Sequence, residues 1–244
     1  MNNIIQIKAI AKKEIYAMMK SPVLYIAFLI FHLTLAIPFI GFNFWFNANI
    51  SDLNFFFMNI PFAFILIIPL LTVGRWSDEY KYETDKILFN FPASEYTLII
   101  GKFMAPAIVF IIILLCSMLI PISIFRIGYF YLPSFFISYI YTLFFGLACI
   151  SISLAVSCIS IHGGICFILS LLTIIFFSFI HILPKALNLP KVLIDTIRLI
   201  SFQVHFETAS HGVFNIKDFI FYFALIILGI EFNALILKSK REKR

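Results

Sequence analysis

Long apolar blocks alternate with short polar segments along this chain. A helix needs about 20 mostly apolar residues to cross a hydrocarbon core of about 30 Å. Continuous blocks of that length favour helices over the alternating ten-residue segments of a barrel. The pattern therefore predicts an all-α membrane protein with six transmembrane helices, at approximately Val23–Asn43, Phe57–Gly74, Phe103–Phe125, Ser134–Cys158, Ile165–Leu183 and Phe219–Leu237.

The composition supports this interpretation. Hydrophobic residues make up 62% and charged residues 12% of the 244 positions, and mean hydropathy is +1.05. Soluble domains average about 25% charged residues. With no internal repeat and no low-complexity linker, we expect one transmembrane domain over residues 1–244.

The Lys and Arg residues predict the orientation, because cytoplasmic loops carry an excess of them. With a cytoplasmic N-terminus, thirteen of the eighteen fall on the inner side and five on the outer side. Both termini are therefore predicted to face the cytoplasm. Topology and attraction to anionic membrane lipids account for the net charge of +6, so nucleic acid is not expected as a partner.

Two further helical regions flank these spans. Residues 1–22 place apolar side chains at helical spacing and predict an amphipathic helix in the inner interface, followed by Pro22 in the first turn of the next helix. Lys8, Lys12 and Lys13 fall mostly away from that apolar face, and the stretch lacks the pattern of a cleaved signal, so we expect it to be retained. Residues 184–218 predict an outer segment with a helix over Val192–Ser201, and Asn215 predicts the cap of the last span.

The charged segment, residues 75–102, is the most polar long stretch of the chain. Its apolar and aromatic residues have the spacing of one buried helical stripe, with Lys81 and Asp85 placed to pair on the exposed side. Pro92 predicts the end of this helix and Ser94 the cap of the next one. The stripe consists of Trp76, Tyr80, Thr84, Ile87, Leu88 and Phe91.

The order of residues in the charged segment resembles the first cytoplasmic loop of ABC-2-type exporter permeases. The matching positions are Arg75, Glu79, Thr84, Leu88, Pro92, Gly101 and Lys102. The stretch before the last span is similar to the gliding-motility-associated branch of that family at His205, Phe206, Gly212, Asp218 and Tyr222. One position departs from the pattern: the family often has Gly before the Thr, and this chain has Glu83.

The resemblance implies a permease subunit in a bacterial cytoplasmic membrane, working with a second permease copy or paralogue. It leaves room for an accessory extracytoplasmic subunit. A coupling helix in the charged segment would dock on a separate ABC ATPase, which would bind ATP-Mg and supply the energy for export. The docking residues expected on this basis are Glu79, Tyr80, Thr84, Leu88, Phe91 and Pro92.

The chain itself contains no phosphate-binding GxxxxGK[ST] motif, so no cofactor is expected on it and we predict a transporter subunit rather than an enzyme. No HExxH motif or CxxC spacing indicates a metal site, and none is expected. Glu231 lies inside the sixth predicted span, where a carboxylate is costly, so it either lines a substrate path or bonds to a neighbouring span.

Two other functions stay open. A channel or lipid-binding scaffold without ATP coupling fits the same spans, and an intramembrane hydrolase is less favoured because no nucleophile and base have suitable spacing. The substrate is not indicated. The Phe-rich composition is compatible with lipid-like or amphipathic peptide cargo but also follows from an AT-rich genome.

Overall fold

A computed structural model describes residues 3–41, 53–90, 93–124, 131–186 and 190–242. Within these residues the chain is helical and has no strand. Five helices are long and apolar enough to cross a membrane, or six if the bent pair at the N-terminus counts as one span. Such a set of apolar helices suggests a multi-pass membrane protein.

The described helices follow one another in this order: α1 Asn3–Lys20, α2 Pro22–Gly41, α3 Asn54–Met58, α4 Ile60–Thr72, α5 Ser77–Lys81, α6 Asp85–Asn90, α7 Glu95–Ser117, α8 Leu119–Ile124, α9 Leu132–Ser157, α10 Gly163–Phe179, α11 Leu183–Ala186, α12 Lys191–Ile200, α13 Phe202–Ser210 and α14 Ile216–Glu242. A short 3₁₀ turn, Ile180–Ile182, joins α10 to α11. Helix α7 begins at Glu95, eight residues before the predicted span Phe103–Phe125, because the Ser94 hydroxyl accepts a hydrogen bond from the Thr97 N–H and caps the helix.

Helix α9 is the centre of the bundle and contacts α4, α7, α10, α13 and α14. Its small residues allow the neighbouring helices to approach closely, as is common between helices in membranes. A Cβ on Gly229 of α14 would lie 2.8 Å from the backbone carbon of Ser151 in α9, so only glycine fits there. The core around α9 is rich in stacked and edge-on aromatic rings, including Phe64, Phe110 and Phe145.

The N-terminal helix packs against α7, and the chain bends by 75° between α1 and α2. Pro22 starts α2, as the sequence predicts. The buried residues of α1 are Gln6, Ala11, Glu14 and Met18. The buried face therefore includes a carboxylate, while much of the predicted apolar stripe, such as Ile4 and Met19, is exposed.

The prediction of one helix over the first half of the charged segment is wrong. The structure has two short helices, α5 and α6, separated by a turn at 82–84. The cause is Glu83, whose φ of +56° lies in the left-handed region and cannot continue a helix. The predicted Lys81–Asp85 pair does not form; Lys86 instead pairs with Glu83 across the turn.

The region before the last long helix contains two helices where one was predicted. Helix α12 matches the predicted Val192–Ser201 within one residue, and α13 follows it directly. Asn215 accepts a hydrogen bond from the Lys217 N–H, which is the predicted cap of α14.

The reversal between α9 and α10 uses residues 158–162, and Gly163 is the first residue of α10.

Candidate functional site

The ammonium group of Lys102, in α7, lies at the centre of a buried polar cluster. Its Nζ donates to Oε1 of Glu14 at 2.8 Å, to the carbonyl oxygen of Arg75 at 2.7 Å and to Oε1 of Glu79 at 3.0 Å. These acceptors use all three N–H groups of the ammonium. Only 1% of the side chain is exposed, so its charge is compensated by the protein and not by water.

The two carboxylates have further partners. The Arg75 guanidinium donates to Oε2 of Glu14 at 3.1 Å, and Lys13 donates to Oε1 of Glu79 at 3.1 Å. The Thr84 hydroxyl donates to Oε2 of Glu79. We refer to Lys13, Glu14, Arg75, Glu79 and Lys102 as the ion cluster. It joins the N-terminal helix α1, the first part of the charged segment and helix α7.

The burial of the ion cluster decides what it can do. Taking a charge out of water costs several kcal/mol per ion, and attraction between partners offsets this only with good geometry and full hydrogen bonding. Here Glu14 and Glu79 are 7% and 9% exposed and each accepts from two or more donors. We therefore expect the cluster to fix the arrangement of α1, α5 and α7, because a shift of one helix relative to the others leaves a buried charge without its partner.

A layer of aromatic and aliphatic side chains lies beside the ion cluster. Trp76 and Tyr80 stack with ring centroids 6.3 Å apart, and both are buried. Lys102 lies 4.8 Å from the Trp76 ring centroid, and Lys240 of α14 lies 3.8 Å from that of Tyr80. We call this the aromatic layer; its other buried members are Leu98, Ile99, Leu154, Cys158, Ala234 and Leu237.

The turn between α5 and α6 is a Schellman motif, a helix ending with one left-handed residue. The Thr84 N–H donates to the Glu79 carbonyl at 3.0 Å, and the Glu83 N–H donates to the Tyr80 carbonyl at 3.4 Å. Glycine usually occupies the left-handed position of this motif. Glu83 holds it here, so the position at which the sequence departs from the family pattern is the one whose backbone favours glycine.

The turn and helix α6 each expose one large side chain. Tyr82 is 68% exposed and Ile87 is 69% exposed, whereas Trp76, Glu79 and Tyr80 of the same segment are buried. Lys86 and Glu83 form an exposed ion pair between them. The charged segment thus has a buried side, which contains the ion cluster and the aromatic layer, and an exposed tip with Tyr82 and Ile87.

The residues expected to dock an ATPase have different surroundings. Glu79 and Tyr80 point into the protein, in the ion cluster and the aromatic layer respectively. Thr84 lies at the turn with its hydroxyl on Glu79, and Leu88 is half-buried against the aromatic layer. The remaining two, Phe91 and Pro92, lie outside the described residues.

Glu231 is exposed on α14 and accepts a hydrogen bond from the Tyr96 hydroxyl at 2.8 Å. Tyr96 lies in the first turn of α7, two residues after its cap Ser94. Nearer the C-terminal end of α14, Arg241 pairs with Glu95 at 3.0 Å. Glu231 is therefore bonded to a neighbouring long helix, at the end of the bundle that contains the charged segment.

The opposite end of the bundle, formed by α13 and the first turns of α9 and α14, is held differently. The Tyr141 hydroxyl donates to the Asn215 carbonyl at 2.5 Å and accepts from the Asn215 N–H at 2.9 Å. The Tyr222 hydroxyl donates to the Phe202 carbonyl at 2.8 Å. His205 Nδ1 lies 2.6 Å from the Asp218 carboxylate, and the His205 ring stacks on a phenylalanine.

A serine and a histidine also meet at this end, which the sequence spacing did not reveal. His181 Nδ1 lies 2.9 Å from the Ser201 hydroxyl. That hydroxyl donates to the Ser178 carbonyl at 3.1 Å, and Ser201 is fully buried. Through these contacts Ser201, the residue before α13, connects α13 to the end of α10.

Sequence reasoning missed Glu14, which the structure places at the core of the site. A signal was present: Glu14 lies three residues after Ala11 and four before Met18, in register with the buried face of the N-terminal helix. It is also the only acidic residue in the first 51 positions. A lone carboxylate on a buried face indicates a buried cationic partner.

Comparison of the sequence with protein-family models and with curated proteins found no match. Across the part of the chain that the structure describes, no group of three or more His, Cys, Asp or Glu side chains is arranged to hold a metal ion. The assignment of a function therefore depends on the ion cluster, the aromatic layer and the exposed tip.

Proposed function

We propose that this chain is the membrane-spanning subunit of an ABC-2-type exporter, driven by a separate ABC ATPase that docks on the charged segment. In this proposal the chain crosses a bacterial cytoplasmic membrane six times with both termini in the cytoplasm. ATP-Mg is bound and hydrolysed on the partner. A second copy or paralogue of the chain forms the other half of the path.

The observation that carries the proposal is the two-sided construction of the charged segment. Its tip offers Tyr82 and Ile87, exposed apolar and aromatic side chains of the kind enriched at the centre of protein interfaces. Its buried side is joined to α1 and α7 through the ion cluster and packed on α14 through the aromatic layer. A force applied at the tip would thus reach three long helices together.

This construction divides the expected docking residues into two groups. Thr84 belongs to the surface that the ATPase contacts, with Leu88 behind it. Tyr82 and Ile87, which were not among the expected residues, are added to that surface because they are exposed. Glu79 and Tyr80 transmit the movement, because they connect that surface to Lys102 and Lys240. Packed helices that move as rigid bodies between two arrangements are a recurrent form of such switching.

Glu231 belongs to the same end in this proposal. Its bond to Tyr96 connects α14 to α7 near the charged segment, and its exposed carboxylate would lie at the cytoplasmic mouth of the path between two permease halves. The cargo remains unassigned.

The test is purification of the tagged chain from its own cells, followed by measurement of vanadate-sensitive ATP hydrolysis. The wild-type sample should carry an ATPase subunit and its activity, and Ile87→Asp should lose most of both because a charge enters the apolar contact. Val213→Asp, at the opposite end and 56% exposed, is the matched control and should keep them. A wild-type sample without any ATPase, or Ile87→Asp with an undiminished amount, would refute the proposal.

A further inference from the structure

A groove with a volume of about 740 Å³ runs between the N-terminal helix and α7. This volume lies within the range of about 300–1,000 Å³ that is usual for small-molecule sites. The groove borders the ion cluster at Lys13, but the buried members Glu14, Glu79 and Lys102 do not line it. The groove is lined by Ile7, Lys8, Ala9, Ala11, Lys12, Lys13, Ile15, Tyr16, Met19, Met104 and Ile108.

The cationic part of the groove is formed by Lys8 and Lys12. They lie four residues apart on one helix, so their side chains are neighbours on its surface. Both are exposed, and neither forms an ion pair within the described residues. Lys13 differs from them, because it also lines the groove but donates to Glu79 in the ion cluster. Two adjacent ammonium groups are thus available to one anion.

The apolar part of the groove continues from these lysines. Met19 on α1 and Met104 on α7 are 48% and 39% exposed, and Ile108 lies one turn further along α7. Exposed apolar surface costs about 25 cal/mol per Å² in water, and the wall beside Met104 belongs to a helix long and apolar enough to cross a membrane. The surface therefore fits a hydrocarbon chain and not solvent.

We infer that this groove binds one anionic phospholipid, with the phosphate at Lys8 and Lys12 and an acyl chain along Met19, Met104 and Ile108. The charge complementarity identifies the ligand: a zwitterionic lipid carries its own cation beside the phosphate and leaves the lysine pair only partly compensated, and a free phosphate would leave the apolar wall uncovered. Long lysine side chains can lie along apolar surface while the ammonium reaches a headgroup. The site is independent of ATPase docking and requires only that α7 lies in a membrane.

The experiment is lipid titration of the purified full chain in a neutral detergent, read by native mass spectrometry. The two probes are phosphatidylglycerol and phosphatidylcholine with identical acyl chains. A basic side chain near an anionic lipid surface contributes a preference of about fivefold. The wild-type chain should therefore bind phosphatidylglycerol at least about fivefold more tightly than phosphatidylcholine. Equal affinities would overturn the inference.

Two pairs of substitutions locate the binding. Lys8→Gln with Lys12→Gln should remove the preference, whereas Lys191→Gln with Lys217→Gln, which removes the same charge from exposed positions at the opposite end, should preserve it. Lys13 stays unchanged so that the ion cluster is intact. If both pairs reduce the preference equally, the lipid responds to net charge and the site does not exist.

A third variant tests the acyl-chain part without any change of charge. Met104→Trp fills the groove, so it should weaken binding of both lipids by a similar factor while the preference for phosphatidylglycerol remains. Undiminished binding of both lipids by this variant would show that only the headgroup is held, and would overturn the placement of the chain along α7.

Discussion

The two ends of the bundle are fastened by different chemistry. At the end that contains the charged segment, which we call the charged end, the ion cluster joins residues 23 to 88 positions apart, with Lys102 bonded to Glu14 and Glu79. At the opposite end, most of the contacts are from tyrosine and serine hydroxyls to backbone carbonyls, as in Tyr141 with Asn215 and Ser138 with Ala209, and one buried carboxylate, Asp218, contacts His205. Both sets of contacts are largely buried. A neutral hydroxyl that loses its partner costs much less than a buried charge does, so we expect the charged end, where two carboxylates share a buried lysine, to resist separate movement of its helices more strongly.

The largest effect is expected from Lys102→Met. This change leaves Glu14 and Glu79 buried without their shared cation, and removing one partner of a buried pair costs about 3–5 kcal/mol. The measurement is the free energy of unfolding of the purified protein in mixed micelles. Lys86→Met, in an exposed pair of the same segment, should change it by less than about 1 kcal/mol. Equal losses from both variants would mean that the ion cluster is not buried as described.

A smaller effect is expected at the opposite end from Tyr141→Phe. The missing hydroxyl leaves the Asn215 N–H and carbonyl without that partner, at a cost of about 1–3 kcal/mol. Tyr131→Phe, at an exposed tyrosine nearby, is the control and should be close to neutral. If Tyr141→Phe cost as much as Lys102→Met, the contrast between the two ends would be lost.

The turn at Glu83 predicts a gain in stability. Glycine removes the steric cost of a left-handed residue, about 1–2 kcal/mol, while the exposed pair with Lys86 that is lost contributes less than about 1 kcal/mol. Glu83→Gly should therefore raise the free energy of unfolding by roughly 0.5–1 kcal/mol. Glu83→Ala retains a Cβ and also loses the pair, so it should give no gain. A gain from alanine equal to that from glycine would exclude the left-handed turn as the cause.

The smallest effect is expected from Arg241→Gln. Its pair with Glu95 is largely exposed, with 45% of the arginine side chain accessible, so its loss should lower the free energy of unfolding by less than about 1 kcal/mol. A loss as large as that of Lys102→Met would show that the end of α14 depends on this pair more than on the aromatic layer.

The sequence predicted those parts of the fold that have local signals. Ser94, Asn215 and Pro22 lie at helix starts because capping and the fixed φ of proline act within one turn. The apolar blocks predicted the long helices for the same reason, since their length and hydropathy need no partner. The exact layout of six spans and their sides remains a prediction.

The parts that the sequence did not predict depend on distant contacts or on an unusual backbone. The helical spacing of Trp76, Tyr80 and Leu88 fits one helix, and nothing in the identity of Glu83 indicates a left-handed residue. The ion cluster needs the tertiary placement of Lys102 between two carboxylates, which no spacing rule provides. The sequence also did not predict that Glu14 lies on the buried face of the N-terminal helix with Ala11 and Met18, or that lysines and apolar residues of this helix line a common groove.

The central claim is that the charged segment and the N-terminal helix would move as one body on closure of the proposed ATPase partner. Spin labels at Tyr82→Cys and Tyr16→Cys report a distance within that body. Labels at Tyr82→Cys and Val213→Cys report a distance across the bundle. All three positions are exposed, and Cys116, which is partly exposed, is replaced by alanine so that it is not labelled. Between nucleotide-free and ATP-vanadate samples of the complex, the first distance should stay constant and the second should change by several ångströms. A changed first distance with a constant second one would contradict the account.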